Sequence, residues 1–191
     1  MVKTKEQENC NWTKRKIVAF VIAVLFTALT LVPSPAFAET VQLEGGSVDI
    51  ESQGDTTNWK VMGNPVWNVS EFNVAQNSTY NISGLTSGAS LALLVNGGSP
   101  TEIIGKCNLF DITFILQNIA GIHIESAGSI NLNNAALIAS TLPLNLSATD
   151  FLKQNYQFSG QGGLLTNEGR IVGGKGDLVA LIASAIENRC V

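Results

Sequence analysis

The residues whose types and spacing best suit chemistry lie near the C-terminus, in residues 166–184. Gly169 is followed after four residues by Gly174 and Lys175, which is most of the glycine-rich loop that cradles nucleotide phosphates. The next residue is Gly176, so the hydroxyl that binds Mg²⁺ in such loops is missing. The flanking sequence predicts neither the buried strand nor the long helix that a phosphate site requires. The pattern therefore favours glycines that form turns over a nucleotide-binding site, and we expect no cofactor.

Two groups of ionisable residues could also act as sites. His123, the only histidine, lies between Ile122 and Ile124. On a strand its side chain points away from the two isoleucines, so solvent exposure is favoured over a role as general base. Asp49 and Glu51 share one face of another predicted strand, where they could attract Ca²⁺ or form an ordinary solvated surface. We expect the solvated surface.

The aromatic and cysteine residues have structural interpretations as well. Trp59 and Trp67, with Phe72 nearby, could stack against a sugar, but packing at the end of a fold is the expected role. Cys107 and Cys190 are 83 positions apart and could pair in an oxidising compartment, although unpaired thiols are favoured. Because the chain has no Cys/His cluster, a structural zinc site is excluded.

The N-terminal 38 residues are typical of a secretory signal peptide. Five Lys and Arg residues precede an apolar run of 16 residues at 17–32, and Ala36 and Ala38 occupy the small-residue positions before Glu39. The run is shorter than the roughly 20 residues of a membrane-spanning helix, so cleavage is favoured over anchoring. We therefore predict export by the Sec translocon and a single domain over residues 39–191.

The predicted mature chain is acidic. It keeps 6 of the 11 Lys and Arg and 13 of the 15 Asp and Glu, so its net charge is 6 minus 13, or −7. Such a charge argues against nucleic acid or anionic lipid as a partner. Its 153 residues suit one domain with a sizeable core.

Apolar residues alternate with polar ones in pairs of short segments, which predicts an all-β chain. The alternating residues are Val41, Leu43, Val48 and Ile50; Phe72, Val74, Tyr80 and Ile82; and Ile122, Ile124, Ile130 and Leu132. Within each group, the two segments are separated by a polar stretch read as a turn: EGGS, AQNST or ESAGS. Only residues 178–186 carry a faint helical stripe.

A weak internal repeat favours a β-helix over a sandwich. Superposing Gly128 on Gly169, an offset of 41, places Ile130 on Ile171 and Leu137 on Leu178, and LIAS recurs at an offset of 44. These offsets predict two coils of about 20 to 22 residues each. The predicted mature chain contains 18 Gly and 16 Asn, residues that tolerate the left-handed backbone of coil corners.

Five segments together carry a family resemblance. They are NVSEFNVAQNSTYNISG, NGGSPTEIIG, NIAGIHIESAGSINLNNAALIAST, DFLKQNYQFSG and LLTNEGRIVGGKGDLVALIASAIEN. In order and spacing they resemble the N-terminal secretion domain of filamentous-haemagglutinin-like exoproteins, the passengers of two-partner secretion in Gram-negative bacteria. The resemblance spans residues 41–188.

The resemblance implies a right-handed parallel β-helix with N-terminal capping strands, acting as a non-enzymatic secretion module for an adhesin-like protein. Its implied partner is an outer-membrane β-barrel transporter, which recognises it through periplasmic domains. The family motif Asn-Pro-Asn-Gly-Ile matches here at Asn118, Gly121 and Ile122, with Ile119 and Ala120 at the other two positions. The family's earlier Asn-Pro-Asn-Leu motif has no clear counterpart.

The motif also has a physical interpretation. Asn118 follows the apolar run at residues 112–116, where its amide could satisfy backbone groups at a corner, and Gly121 permits a positive φ before the next strand. One alternative function remains open at this point: a self-standing secreted β-helix that binds or cleaves polysaccharide.

Overall fold

The computed structural model describes residues 44–145 and 155–189, and within these the regular secondary structure is entirely β. The predicted signal peptide and the expected strand at Val41 and Leu43 lie outside the described residues. No helix in the described part is long and apolar enough to cross a membrane.

Sixteen strands are formed by the described residues. They are β1 (Glu44–Gln53), β2 (Thr56–Val69), β3 (Thr79–Gly84), β4 (Ser90–Val95), β5 (Thr101–Ile103), β6 (Lys106–Phe110), β7 (Thr113–Asn118), β8 (Ile122–Ile124), β9 (Ser129–Asn133), β10 (Ala136–Ser140), β11 (Leu144–Asn145), β12 (Gln157–Phe158), β13 (Leu164–Asn167), β14 (Arg170–Val172), β15 (Leu178–Ile182) and β16 (Ala185–Asn188).

These strands wind into a parallel β-solenoid of five coils, each with up to three sides. The first side stacks the first half of β2 with β3, β6, β9 and β14; the second stacks the other half of β2 with β4, β7, β10 and β15. The third side contains β5, β8, β13 and β16, and Val74 of the first coil joins it by a bridge to Ile103. Strand β1 pairs antiparallel with β2 and caps the N-terminal edge, as the resemblance implies.

Inward-facing residues stack coil upon coil because neighbouring strands are parallel and in register. Ile82, Leu109 and Leu132 form one such column, and all three are buried. Each fully buried side chain of this size contributes roughly 1.5–3 kcal/mol. The alternation therefore identifies the core correctly in the second and third groups of alternating residues, whose eight residues are all buried. In the first group Val48 is only partly buried and Ile50 is 36% exposed.

The aromatic residues lie inside the first coils. The ring centroids of Trp59 and Trp67 are 5.0 Å apart and those of Trp59 and Phe72 5.6 Å apart, and all three side chains are buried. Tyr80 completes the cluster at 5.7 Å from both Trp59 and Phe72. The packing role is confirmed, and these rings present no stacking surface to a sugar.

A second, smaller apolar cluster lies on the outer surface of the solenoid. Ala92, Ile115 and Ile138 point outward from the second side, yet they are buried. Their cover includes Leu144 and Phe158 of the β11–β12 hairpin, which belongs to an insertion between β10 and β13. The insertion lengthens the fourth coil and seals an apolar patch.

The predicted coil length is wrong because of this insertion. Ile130 and Ile171 are partners, as the offset of 41 predicts, but they lie in adjacent coils instead of two coils apart. Beyond them the register gains one residue, so Leu137 faces Val179 and not Leu178. The two LIAS segments are not superposed. The unbroken coils advance by 27 residues from Thr79 to Lys106 and 23 from Lys106 to Ser129.

One predicted turn is also wrong. EGGS lies within β1, where the register shifts between Glu44 and Gly46, and the chain reverses instead at Gly54, whose φ is 57°. Because glycine has no side chain to pack, the two glycines of EGGS are as compatible with an irregular strand as with a turn. The AQNST and ESAGS turns are confirmed, and residues 178–186 form parts of β15 and β16 instead of a helix.

Candidate functional site

The segment that matches the secretion motif forms a corner of the third coil. Strand β7 ends at Asn118 and β8 begins at Ile122, so residues 119–121 carry the chain from the second side of the coil to the third. Asn118 and Ile122 are each 0% exposed, whereas Ile119 between them is 45% exposed. The residues at the two ends of the corner are therefore buried, and one apolar side chain between them is exposed.

The Asn118 amide ties this corner to the preceding coil. Its Nδ2 donates hydrogen bonds of 3.0 Å to the Ser99 carbonyl and 3.0 Å to the Thr101 hydroxyl. Its Oδ1 accepts a 2.9 Å hydrogen bond from the backbone N–H of Ala120. Both amide hydrogens are therefore donated to acceptors of the preceding coil, and the amide oxygen holds the loop of residues 119–121 in place.

Gly121 closes the corner in a conformation that suits glycine. Its φ is 141°, its N–H donates to the Asn118 carbonyl at 3.1 Å, and its carbonyl accepts from the Thr101 N–H at 3.0 Å. A Cβ at this position would lie 3.1 Å from the Leu164 carbonyl oxygen and 3.4 Å from a Pro100 carbon. The corner geometry expected for Asn118 and Gly121 is present.

The sequence did not identify the residues that complete this corner. Thr101, 0% exposed, pairs in register with Ile122 and accepts the Asn118 amide. Gly163, from the coil above, donates to the Ile119 carbonyl at 2.8 Å. A Cβ on Gly163 would meet the Ala120 oxygen at 2.3 Å, so glycine is required there. These contacts join residues of different coils, and no local pattern signals them.

The Walker-like segment is a turn, a short strand and a second turn, as predicted. The Gly174 N–H donates to Asp177 Oδ2 at 2.6 Å, and Asp177 Oδ1 accepts from the Ala135 N–H at 2.8 Å. These backbone hydrogen bonds, that of Gly174 foremost, lower the pKa of Asp177. A Cβ on Gly169 would lie 2.4 Å from the Gly128 oxygen, so this glycine permits close coil stacking.

The other ionisable candidates lie on the surface. His123 points outward from β8, half-buried between Glu102 and Thr166 of the adjacent strands. Glu51 forms a 2.9 Å ion pair with Lys60, which raises the pKa of the lysine. Among residues 44–145 and 155–189, no group of three or more His, Cys, Asp or Glu side chains is arranged to hold a metal ion.

Cys107 is a free, buried thiol, as the sequence favours. Burial raises its pKa to about 12. Cys190 lies outside the described residues.

Taken together, the fold defines a capped parallel β-solenoid whose third coil has an internally bonded asparagine corner. This architecture is similar to a known crystal structure, that of the HMW1 secretion domain from Haemophilus influenzae. The TM-score is 0.69 at 21% sequence identity, and the match covers 80% of this chain and 41% of that chain. At this identity the likeness establishes the fold. It confirms the predicted β-helix.

Sequence comparison adds no further assignment. No protein-family profile matches the chain, and no curated protein matches it.

Proposed function

We propose that this chain is the secretion module of a two-partner secretion exoprotein. The observation that carries the proposal is the likeness of its solenoid to a domain whose solved structure is described as a secretion domain. The Asn118 corner supports it, because three residues of the family's motif fall together at one ordered turn. In this proposal the module is non-enzymatic, and the protein reaches the cell surface or the medium.

The proposed partner is an outer-membrane transporter whose periplasmic domains bind the module after export by the Sec translocon. Residues 1–38 would direct that first step, and residues 39–191 would form the recognised domain of an adhesin-like protein. The Asn118, Gly121 and Ile122 corner would supply a rigid shape for recognition. Rigid elements bind with a smaller loss of conformational entropy than mobile ones.

Stepwise folding would supply the driving force for passage through the transporter. Each coil packs on the one before it, so a coil that emerges outside can fold on an existing template. Burying one Leu or Ile side chain contributes roughly 1.5–3 kcal/mol, which opposes movement back into the pore without ATP. The in-register columns of the core, such as Phe114 on Leu91, fit this mechanism.

The proposal is tested by expressing the full chain with and without a transporter of this class encoded beside its gene. The amount of protein in the medium is measured by immunoblot, with a periplasmic marker as the leakage control. We expect release that requires the transporter and falls in Asn118→Ala. Equal release without the transporter, or none with it, would refute the proposal.

The folding mechanism has its own test in the fourth coil. Leu165 is 0% exposed, and Leu165→Ala is expected to destabilise its coil by about 2–5 kcal/mol and to slow export. Leu85→Ala changes a leucine that is 55% exposed and serves as the matched control. Pulse-chase labelling measures the export rate. Identical rates for the two variants would count against folding as the driving force.

A further inference from the structure

The proposed recognition corner presents one large side chain to solvent. Asn118 is 0% exposed and both of its amide hydrogens are bonded inside the protein, so a partner cannot read the asparagine directly. Ile119, the next residue, is 45% exposed. We infer that Ile119 is the contact residue of the corner and docks in an apolar pocket of the transporter's periplasmic domains. This inference rests on the proposed function.

The backbone around Ile119 is held in place on both sides. Its carbonyl accepts a 2.8 Å hydrogen bond from Gly163, and the N–H groups of Ala120 and Gly121 donate to Asn118 at 2.9 and 3.1 Å. The branched Ile119 side chain is itself restricted at χ1. Binding through it therefore costs little ordering entropy, which is the property of an effective contact residue.

The residues next to this corner include Leu164, whose carbonyl oxygen lies 3.1 Å from a Cβ built on Gly121, together with four that are small or cyclic. Pro100 lies below it, Ala120 and Gly121 belong to it, and Gly163 lies above it. None of these four carries a long flexible side chain. Ile119 is the exposed large apolar side chain of the corner and is partly covered, so the surface that matches its exposed part is a shallow apolar pocket.

Exposed apolar residues elsewhere in the described chain have a different setting. Besides Ile119, seven large apolar side chains of the described residues are exposed: four in the last coil (Val172, Leu178, Val179 and Ile186), two in the β1–β2 hairpin (Ile50 and Met62), and Leu85. The first four lie where no further described coil packs on the solenoid, and the next two belong to the capping hairpin. Leu85 lies in the turn after β3, between the first and second sides, and so provides a matched control for Ile119.

The inference is tested by binding and by crosslinking with the full chain recovered from the periplasm. The probe is the purified periplasmic region of the transporter encoded beside the gene. We expect Ile119→Asp to weaken binding at least about tenfold and Ile119→Leu to preserve it, because a contact residue that acts as a hot spot contributes more than the roughly 1.4 kcal/mol that a tenfold change in affinity represents. Leu85→Asp is expected to bind within about twofold of wild type.

Folding and contact are measured separately. Thermal unfolding midpoints of Ile119→Asp and wild type are expected to agree, since the side chain is exposed. A photo-crosslinking amino acid at position 119 is expected to label the transporter, whereas the same group at position 85 is not.

Three outcomes distinguish the ideas. The contact is supported if the wild type binds the transporter, Ile119→Asp binds it more weakly, and the crosslinker at position 119 labels it. Wild-type binding with unchanged Ile119→Asp, or labelling from position 85 alone, overturns it and leaves the secretion proposal standing. Absence of binding by the wild type overturns both.

Discussion

The side-chain amide of Asn118 donates a 3.0 Å hydrogen bond to the hydroxyl of Thr101, 17 positions earlier and one coil away. Both side chains are fully buried. The Thr101 backbone N–H also donates to the carbonyl of Gly121, so Thr101 joins the two coils through both its side chain and its backbone. Separating these groups would leave polar atoms unpaired in the core, which favours a single arrangement of the corner.

Asn118→Ala is expected to destabilise the fold by about 2–4 kcal/mol. The substitution removes the partner of the Thr101 hydroxyl, which is buried, and a buried polar group left unpaired costs about 1–3 kcal/mol. It also removes the partly buried hydrogen bonds to the Ser99 carbonyl and from the Ala120 N–H, at about 0.5–1.5 kcal/mol each. Urea unfolding measures the change. Asn96→Ala, which removes an exposed amide, is the control and is expected to cost less than about 1 kcal/mol. Equal losses would contradict this account.

Gly121→Val is expected to destabilise the fold by at least about 1–3 kcal/mol. A valine cannot adopt φ 141° without strain, and its Cβ would press on the Leu164 carbonyl oxygen at 3.1 Å. Gly98→Val is the comparison, because nothing lies within 4 Å of a Cβ built on Gly98. Thermal unfolding of the two variants measures the difference. A midpoint for Gly121→Val as high as that of Gly98→Val would show that the corner adapts.

Much of the fold could be predicted because its cause is local. A strand with one face in the core repeats every two residues, and this pattern places His123 outward and Ile122 and Ile124 inward. Corner residues are also local, since a positive φ requires glycine or a residue such as asparagine. The sequence alone therefore assigns Asn118 and Gly121 to a corner.

The rest depends on which coil packs on which, and that information is not local. The insertion between β10 and β13 adds residues to one coil, so equal spacing does not identify neighbours: it pairs Leu137 with Leu178, whereas the partner of Leu137 is Val179. For the same reason, the role of Thr101 as the acceptor for Asn118 had no signal in the sequence. Position in a stack is decided by packing between coils.

The four stacked asparagines on the first side provide a third prediction. Asn81, Asn108 and Asn131 each donate to the asparagine one coil earlier, at 2.8, 2.9 and 2.9 Å, and the first acceptor is Asn58. Asn81→Ala removes two of these hydrogen bonds and Asn131→Ala removes one. At about 1 kcal/mol per bond, we expect losses of about 2 and about 1 kcal/mol. Urea unfolding at neutral pH measures both, and equal losses would mean that the bonds do not contribute individually.

The buried thiol of Cys107 is expected to make stability fall in alkaline solution. Burial raises its pKa to about 12 in the folded chain, whereas an exposed thiol titrates near 8.5. The unfolded state therefore loses the proton first, so the contribution is fully present below about pH 8.5 and is lost as the pH rises towards 12. Between pH 8 and 10 the unfolding free energy of wild type should fall by about 2 kcal/mol more than that of Cys107→Ala. Burial, and to a smaller extent the neighbouring Cys107, also raises the pKa of Tyr80, which is present in both proteins. Parallel pH profiles for the two proteins would show that the thiol ionises in the folded state.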